Sequence, residues 1–340
     1  MLRCISYIVL ICLLAISCSE EEDNQEIADL QLMEAPPNFP QITHPEGNEY
    51  TIERWSLGKK LFYDPILSKD GMVSCASCHK SSLAFSDDEN VSIGSGGLLG
   101  TRNAPTLANV AYHPYFTREG GVPTLEMQIL VPIQEHNEFN NNIVLIAAEL
   151  VEIDEYVNMA KEAYDQEPNA FVITRALAQF ERSLISGQSA YDREYNYQIS
   201  GSMTAAAERG KRLFESDKTS CSACHAGFNF TNYEFQNNGL YKEYEDIGRA
   251  RFTQNDNDIS LFKIPSLRNI ALTLPYMHDG SINSLMDVIE HYNTGGKPHV
   301  NKSELIRPLN LSENEKEDLL AFLHSLTDEK FINNKNYTND

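Results

Sequence analysis

Two short clusters of cysteine and histidine carry the clearest chemistry in this sequence. Both have the pattern C-x-x-C-H, and their members are Cys75, Cys78 and His79, then Cys221, Cys224 and His225. In this pattern the two thiols form thioether bonds to the vinyl groups of one haem, and the next residue brings an imidazole to the iron. The sequence therefore predicts two covalently bound haem c groups, with His79 and His225 as iron ligands.

Two other uses of these cysteines explain the pattern less well. A structural zinc site would pool all four thiolates and leave the histidine after each pair without a role. A dithiol redox motif does not need the histidine either. The three other cysteines, Cys4, Cys12 and Cys18, lie at the N-terminus, so no thiol is left for a disulfide framework.

The N-terminus predicts export. Arg3 precedes an apolar run, Ile5 to Ile16, which is too short for a permanent membrane span and is typical of a signal peptide. The run ends in a sequence that resembles a lipoprotein cleavage box, in which Cys18 would carry the lipid. We therefore expect a lipoprotein-type signal peptide at 1–18, an acidic linker at 19–48, and a protein of the periplasm or outer membrane. Its only membrane attachment would be this lipid.

Composition limits the range of partners. The 340-residue chain carries 49 acidic and 27 basic residues, a formal net charge of −22. Such a surface repels nucleic acid and favours basic partners. The length is sufficient for two or three domains with hydrophobic cores.

The segments around the two clusters repeat in the same order. GKKLF precedes the first cluster and GKRLF the second, and downstream APTLANVA corresponds to IPSLRNIA. We infer one unit written twice, with a long helical insertion between the copies. Apolar residues recur at helical spacing in six segments. These are Ile52–Tyr63, Ile143–Tyr164, Ala170–Ile185, Thr204–Glu215, Ser284–Tyr292 and Glu313–Leu326.

These patterns predict an all-α fold of two cytochrome c-like haem domains related by internal duplication. No run alternates as a half-buried strand would, and Asn169 and Ser312 are expected helix N-caps. The predicted domains are 49–200, with the first haem, and 201–330, with the second. Residues 331–340 form a tail.

The sequence resembles the bacterial dihaem cytochrome c peroxidases and their MauG-type relatives over about residues 52–326. The motifs that carry the resemblance include RNAPTLANVAY, ALAQFERSLISGQSAYD, SCSACHAGFNFTN and FKIPSLRNIALTLPYMHDGS. The resemblance implies a peroxidatic haem in the first domain and an electron-transferring haem in the second. It also implies a calcium ion between them, bound by the Asn103 side chain and the backbone carbonyls of Thr273 and Pro275.

At the first haem, the resemblance implies an iron that is open to peroxide. Many dihaem peroxidases block this iron with a histidine until reduction releases it, but Ser95 stands at that position, in a loop whose glycines favour mobility. His113, a second histidine that could reach this iron, is expected to be structural. Glu138 is implied as the residue that moves protons, with Gln128 beside it and Glu135 as the nearest competitor.

At the second haem, the resemblance implies Tyr292 as the iron ligand opposite His225, as in MauG-type proteins. Other candidates by residue type are Met277, Met286, His278, His291 and His299. A phenolate favours ferric and higher iron states, whereas a methionine raises the potential. Arg118 stands where the family usually has a tryptophan between the haems, so Tyr112 or Tyr115 would have to serve any electron-hopping route.

These residues predict an enzyme that reduces hydrogen peroxide to water with electrons from a small cytochrome c or similar donor. A MauG-type oxidase, which uses peroxide to oxidise a protein or small molecule, is the first alternative; Tyr292 favours it and Arg118 does not. A dihaem electron carrier without catalysis is the second, and Glu138 speaks against it. A second copy of the chain, as a homodimer, is a further candidate partner.

Overall fold

Helices joined by long loops build the fold. The computed structural model describes residues 32–339, and the folded unit that carries both clusters begins at Ala35. Its α-helices, α1 to α13 in chain order, are Ile52–Tyr63, Cys75–Cys78, Leu125–Gln128, Leu130–Gln134, Ile143–Val151, Asp154–Tyr164, Ala170–Arg182, Ala190–Tyr195, Ala205–Phe214, Ala250–Thr253, Leu285–Thr294, Glu313–His324 and Glu329–Ile332.

Short 3-10 turns punctuate the loops, and strands are few. The turns are Pro65–Leu67, Ser81–Leu83, Ser95–Gly97, Val110–Tyr112, Cys221–Ala223, Asp256–Asp258, Ile270–Leu272 and Lys335–Tyr337. Two strands of two residues each, β1 (Phe235–Gln236) and β2 (Phe262–Lys263), pair antiparallel. The helical prediction is thus confirmed in its coarse form, a helix-rich chain with few strands.

The predicted helices agree closely with those observed. The first, Ile52–Tyr63, has the predicted bounds. The predicted helix Ile143–Tyr164 is divided, because the backbone at Ile153 is extended and Asp154 begins a new helix. Both expected N-caps are confirmed: Asn169 accepts a hydrogen bond from the Val172 amide, and Ser312 forms a capping box.

Each half of the chain is built on one close helix crossing. Helix α1 packs on α7 and helix α9 packs on α12. A Cβ atom at Gly58 would lie 1.9 Å from the carbonyl oxygen of Ala176, and one at Gly210 would lie 1.9 Å from that of Asp318. Only glycine permits such an approach. The repeated GKKLF and GKRLF motifs therefore begin with the residue that lets each helix pair form.

Aromatic residues fill the core behind each crossing. Phe62 packs on Phe180 with ring centroids 4.9 Å apart, and Phe214 packs on Phe322 at 5.0 Å. All four are buried. Burying a phenylalanine side chain contributes about 1.5–3 kcal/mol, so each pair fixes the helix that precedes a C-x-x-C-H cluster.

The N-terminal predictions concern residues that the structure does not describe. The predicted signal peptide at 1–18 and the first part of the acidic linker, 19–31, fall outside residues 32–339. Within the described residues, no helix combines the length and the apolar character needed to cross a membrane.

Candidate haem sites

The first C-x-x-C-H cluster forms helix α2 and its C-terminal cap. The backbone amide of His79 donates to the Cys75 carbonyl at 3.0 Å, so the imidazole follows the two thiols on one short turn. The Nδ1 atom of His79 lies 2.9 Å from the carbonyl oxygen of Phe85. Because a carbonyl only accepts, Nδ1 carries the hydrogen, and the Nε2 lone pair is free to bind iron.

The second cluster repeats this arrangement on the turn Cys221–Ala223. The amide of His225 donates to the Cys221 carbonyl at 2.9 Å, and its Nδ1 atom lies 3.1 Å from the Phe230 carbonyl oxygen. Nε2 is again left for a metal. Sequence reasoning had not assigned a role to Phe85 or Phe230, whose backbone carbonyls orient the two imidazoles.

The chemical state of these residues suits haem attachment. Burial lowers the pKa of both histidines, which keeps each imidazole in the neutral form that binds metals. The four cysteines are half-buried and not joined in disulfides. In the described part of the chain, no three His, Cys, Asp or Glu side chains cluster to hold a metal ion. The residues fit two c-type haems.

A cavity of about 290 Å³ adjoins the second cluster. Cys221, Cys224 and His225 line one part of it, and Tyr292 lines another. Most of the remaining wall is apolar, which suits a flat macrocycle. The apolar lining includes Phe214, Ile270, Leu285, Ile289, Leu309, Leu311, Leu319 and Leu323.

Three of the candidate ligands for the second iron, Tyr292, Met277 and His278, line this cavity. Burial raises the pKa of the Tyr292 phenol, which disfavours the phenolate until an iron compensates. Met277 also lines the cavity, and its sulfur accepts a hydrogen bond from Asn238 at 3.2 Å. Asn238 also hydrogen-bonds to the Tyr292 side chain, so both Met277 and Tyr292 contact the same amide, and the role of Tyr292 as ligand stays a prediction.

The three histidine candidates have other contacts. His278 lines the cavity and stacks on Phe262 with ring centroids 4.2 Å apart. The Nε2 atom of His291 lies 3.0 Å from the Asn238 carbonyl oxygen, and the Nδ1 atom of His299 accepts from the Asn301 amide at 3.1 Å.

On the side of the first haem, the structure brings Ser95 and Glu138 together. The backbone amide of Ser95 donates to the carbonyl oxygen of Glu138 at 2.7 Å. The next amide, of Gly96, donates to the Asp70 carboxylate at 2.6 Å. The loop is thus held by hydrogen bonds at both residues. A Cβ atom at Gly94 would lie 2.1 Å from the Asn137 carbonyl oxygen.

The Glu138 carboxyl has the setting of an acid–base group. It keeps accessible surface, as contact with a substrate requires. The surrounding protein and the negative charge of Glu135 raise its pKa. Its own charge contributes to raising the pKa of Cys78, so the carboxyl lies within electrostatic range of the first haem attachment.

Gln128 ends helix α3. Its side-chain oxygen is buried and has no hydrogen-bond partner among the described residues, which leaves the amide able to meet a bound ligand. No hydrogen bond joins it to Ser95 or Glu138 in that part of the chain. Its role beside Glu138 therefore stays a prediction.

The residues between the two halves differ in whether their polar side-chain atoms have hydrogen-bond partners. The His113 ring packs on Tyr233 at 5.2 Å, and its Nδ1 atom lies 3.5 Å from the Lys263 amine, a position that suits a structural histidine. The Tyr112 hydroxyl is buried without a partner among the described residues, and burial raises its pKa to about 12. The Tyr115 hydroxyl donates to the Tyr233 carbonyl. Within residues 32–339, neither hydroxyl hydrogen-bonds to a side chain that could accept its proton.

Arg118 contacts one of the residues that the resemblance assigns to calcium. Its Nη2 atom donates to the Asn103 backbone carbonyl at 2.6 Å and to the Asn103 side-chain oxygen at 3.2 Å. Arg118, Asn103, Thr273 and Pro275 all line the second cavity. The Asn103 side-chain oxygen, which the resemblance assigns to calcium, therefore lies next to the Arg118 guanidinium.

Sequence reasoning missed three residues of these sites. Lys263 is a half-buried cation of the second cavity, and its signal was its place in the FKIPSLRNIALTLPYMHDGS motif. Asn238 contacts Met277, and no motif in the sequence pointed to it. Glu181 is 6% exposed, and burial raises its pKa to about 8. Its charge raises the pKa of Cys75, which places it near the first haem attachment.

Two haem-attachment sites in two helical halves define a dihaem c-type cytochrome, and comparisons with known proteins agree. The model of the di-haem cytochrome c peroxidase family matches residues 52–199, and that of cytochrome c matches residues 207–327. The chain is 36% identical to the methylamine utilization protein MauG of Methylorubrum extorquens, over 94% of this chain and 91% of that protein. It is 30% identical to the cytochrome c551 peroxidase of Pseudomonas aeruginosa, over 84% of this chain and 82% of that protein.

A solved structure shows the same fold. The crystal structure of a MauG-like protein associated with microbial copper homeostasis superposes with a TM-score of 0.85 at 33% identity, over 90% of this chain and 98% of that one. The chain belongs to the family of dihaem cytochrome c peroxidases and MauG proteins. It accordingly consists of two cytochrome c-type domains with covalently bound haem c.

Proposed function

We propose that the protein is a dihaem peroxidase that reduces hydrogen peroxide to water. The balanced reaction takes one peroxide, two protons and two electrons to two waters, with the electrons from a small cytochrome c or similar donor. The observation that carries the proposal is the Glu138 carboxyl, which has a raised pKa, lies near the first haem attachment and is joined through its backbone to the Ser95 loop.

The residues of the chain supply the proton chemistry of this reaction. When bound, the first haem supplies an iron that binds peroxide and accepts its oxygen. Glu138, as carboxylate, takes the proton from the inner oxygen and returns it to the outer oxygen, which leaves as water. A positioned group of this kind contributes about 10²–10⁴-fold to rate. The free amide of Gln128 is suited to orient the peroxide.

A MauG-type oxidase of a protein or small molecule is the second candidate function. Tyr292 in the second cavity and the 36% identity to a MauG protein support it. Long-range oxidation of a partner needs relays between the haems, however, and among the described residues the hydroxyls of Tyr112 and Tyr115 hydrogen-bond to no side chain that could accept a proton. Arg118 cannot serve as a relay. These contacts favour the peroxidase.

Steady-state kinetics of the two-haem protein test the proposal. With a reduced small cytochrome c as donor, we expect two donor molecules oxidised for each peroxide consumed. Peroxide consumption that requires an oxidisable protein or small molecule, with no cytochrome oxidation, would favour the MauG-type function. Two six-coordinate low-spin ferric haems that do not react with peroxide would instead indicate an electron carrier.

We also propose that the two domains, 49–200 and 201–330 with a tail at 331–340, arose by internal duplication. The paired contacts of the two halves support this. Asn109 and Asn269 both have positive φ, of 61° and 59°, and donate their amides to the carbonyls of Leu184 and Leu326, respectively. Glycine stands at the helix crossing in each half.

Three further predictions, export of the chain, a lipid on Cys18 and a homodimer, rest on the sequence alone. Covalent haem c attachment takes place on exported chains and therefore supports export. Calcium at Asn103, Thr273 and Pro275 also stays a prediction, and the contacts of Arg118 provide an alternative to it.

A further inference from the structure

The residues implied as calcium ligands already have contacts of their own. Asn103 is the one residue of the set that the resemblance assigns to calcium through a side-chain oxygen, and this oxygen accepts a hydrogen bond from Arg118 at 3.2 Å. The same Nη2 atom holds the Asn103 backbone carbonyl at 2.6 Å. A guanidinium therefore already binds the residue that a calcium ion would need.

The charges around this point also disfavour a divalent cation. Asn103, Thr273 and Pro275 contribute neutral oxygens only, so none of them offsets the charge of a divalent cation. The nearby acids have other partners: Glu119 and Asp246 both pair with Arg102, and the Asp279 carboxylate accepts hydrogen bonds from the Tyr241 hydroxyl and the Ser281 amide. A calcium ion would thus share the site with the positive charge of Arg118 and no free carboxylate.

Arg118 keeps an unused donor. Its Nε atom is buried and has no hydrogen-bond partner among the described residues. Lys263 lines the same cavity and has no carboxylate partner there; its amine donates to the Tyr115 carbonyl at 2.9 Å. Burial, together with neighbouring positive charges, lowers the pKa of Arg118 to about 10 and that of Lys263 to about 8, and the nearby acids offset this only in part.

A haem brings two carboxylates of its own, the propionates, and the cavity must accept them together with the macrocycle. We propose that Arg118 is a tethered cation that replaces the calcium ion implied by the family resemblance. It holds Asn103 through Nη2 and binds a propionate of the second haem through Nε, with Lys263 as the second cation. This inference requires haem attachment and is independent of peroxide turnover.

Metal analysis of the wild-type two-haem protein is the first test. After dialysis against a calcium chelator, we expect calcium well below one ion per chain by mass spectrometry. The ferric spectrum and the midpoint potential of the second haem should not change when calcium chloride is added back. One calcium ion per chain that resists dialysis, or a potential that responds to calcium, would overturn the proposal.

Substitution of Arg118 is the second test. In Arg118→Gln, the midpoint potential of the second haem should move to lower values, because the loss of a positive charge beside a propionate favours the ferric state. Arg118→Lys, which keeps the charge, should move it less. Arg251→Gln, at an exposed arginine of α10, should not move it. Equal potentials in wild type and Arg118→Gln would contradict the proposal, and the metal analysis decides the matter even if this variant does not mature.

Discussion

The backbone amide of Ser95 donates a 2.7 Å hydrogen bond to the carbonyl oxygen of Glu138. The loop that carries a blocking histidine in many relatives is thereby joined to the residue proposed to move protons. The joint depends on Gly94, since any Cβ atom there would lie 2.1 Å from the Asn137 carbonyl oxygen. We therefore expect any displacement of this loop to displace Glu138 as well.

Gly94→Ala should therefore impair catalysis without touching an iron ligand. The new methyl group displaces Asn137 and with it Glu138, and a displacement of about 1 Å near reacting atoms costs up to about 10²-fold in rate. Steady-state peroxide turnover and haem content per chain measure the effect. Gly100→Ala is the control, because its nearest new contact is 3.3 Å away. Equal losses in both variants would show that the Gly94 contact has no special role.

The fully oxidised protein should already be reactive. Ser95 is 4% exposed, its side chain hydrogen-bonds to Asp70, and a serine hydroxyl is a poor iron ligand. We expect a high-spin ferric signal from the first haem and peroxide reduction without prior partial reduction, observed by electron paramagnetic resonance and stopped-flow absorbance. A wholly low-spin ferric spectrum, with activity only after reduction, would mean that another residue blocks this iron.

Turnover should depend on pH through Glu138. The carboxyl must be ionised to accept a proton, so the rate should rise as pH increases through its raised pKa. Because Glu135 contributes to that raised pKa, Glu135→Gln should lower the pKa and move the acid limb of the pH–rate profile to lower pH. A limb that stays in place or moves to higher pH in this variant would show that another group controls it.

The ion pair between Arg268 and Asp192 should dominate the electrostatic part of stability. Both side chains are 0% exposed and form two hydrogen bonds, at 2.7 and 2.9 Å. Arg268→Ala leaves a buried carboxylate unpaired, which typically costs about 3–5 kcal/mol of unfolding free energy. Arg209→Ala breaks a pair whose arginine is 55% exposed and should cost about 1 kcal/mol or less. Chemical denaturation of both variants should reveal this difference; similar losses would contradict it.

Local sequence determined much of this picture. The C-x-x-C-H spacing fixed the haem-binding residues, and helical spacing with the Asn169 and Ser312 caps fixed the main helices, because caps and periodicity act over a few residues. The extended backbone at Ile153, which divides one predicted helix, was not recognised from the apolar pattern alone.

The contacts between distant segments could not be derived in this way. The bonds from His79 to Phe85 and from Arg118 to Asn103 use backbone carbonyls, which every residue type carries. The half-buried state of Lys263 and the buried state of Glu181 depend on how the helices and loops meet. The three glycines at 94, 96 and 97 suggested a mobile loop, whereas Gly94 serves a close approach to Asn137.

Glu138→Gln tests the central claim most directly. The substitution keeps the shape of the side chain and removes its basicity, so both haems should remain attached with nearly unchanged ferric spectra. Peroxide turnover at neutral pH should fall by about 10²-fold or more, within the range typical of general acid–base groups. The neighbouring Glu135→Gln should leave turnover at neutral pH close to that of the wild type. Equal effects of the two substitutions, or greater sensitivity at Glu135, would contradict the assignment of Glu138.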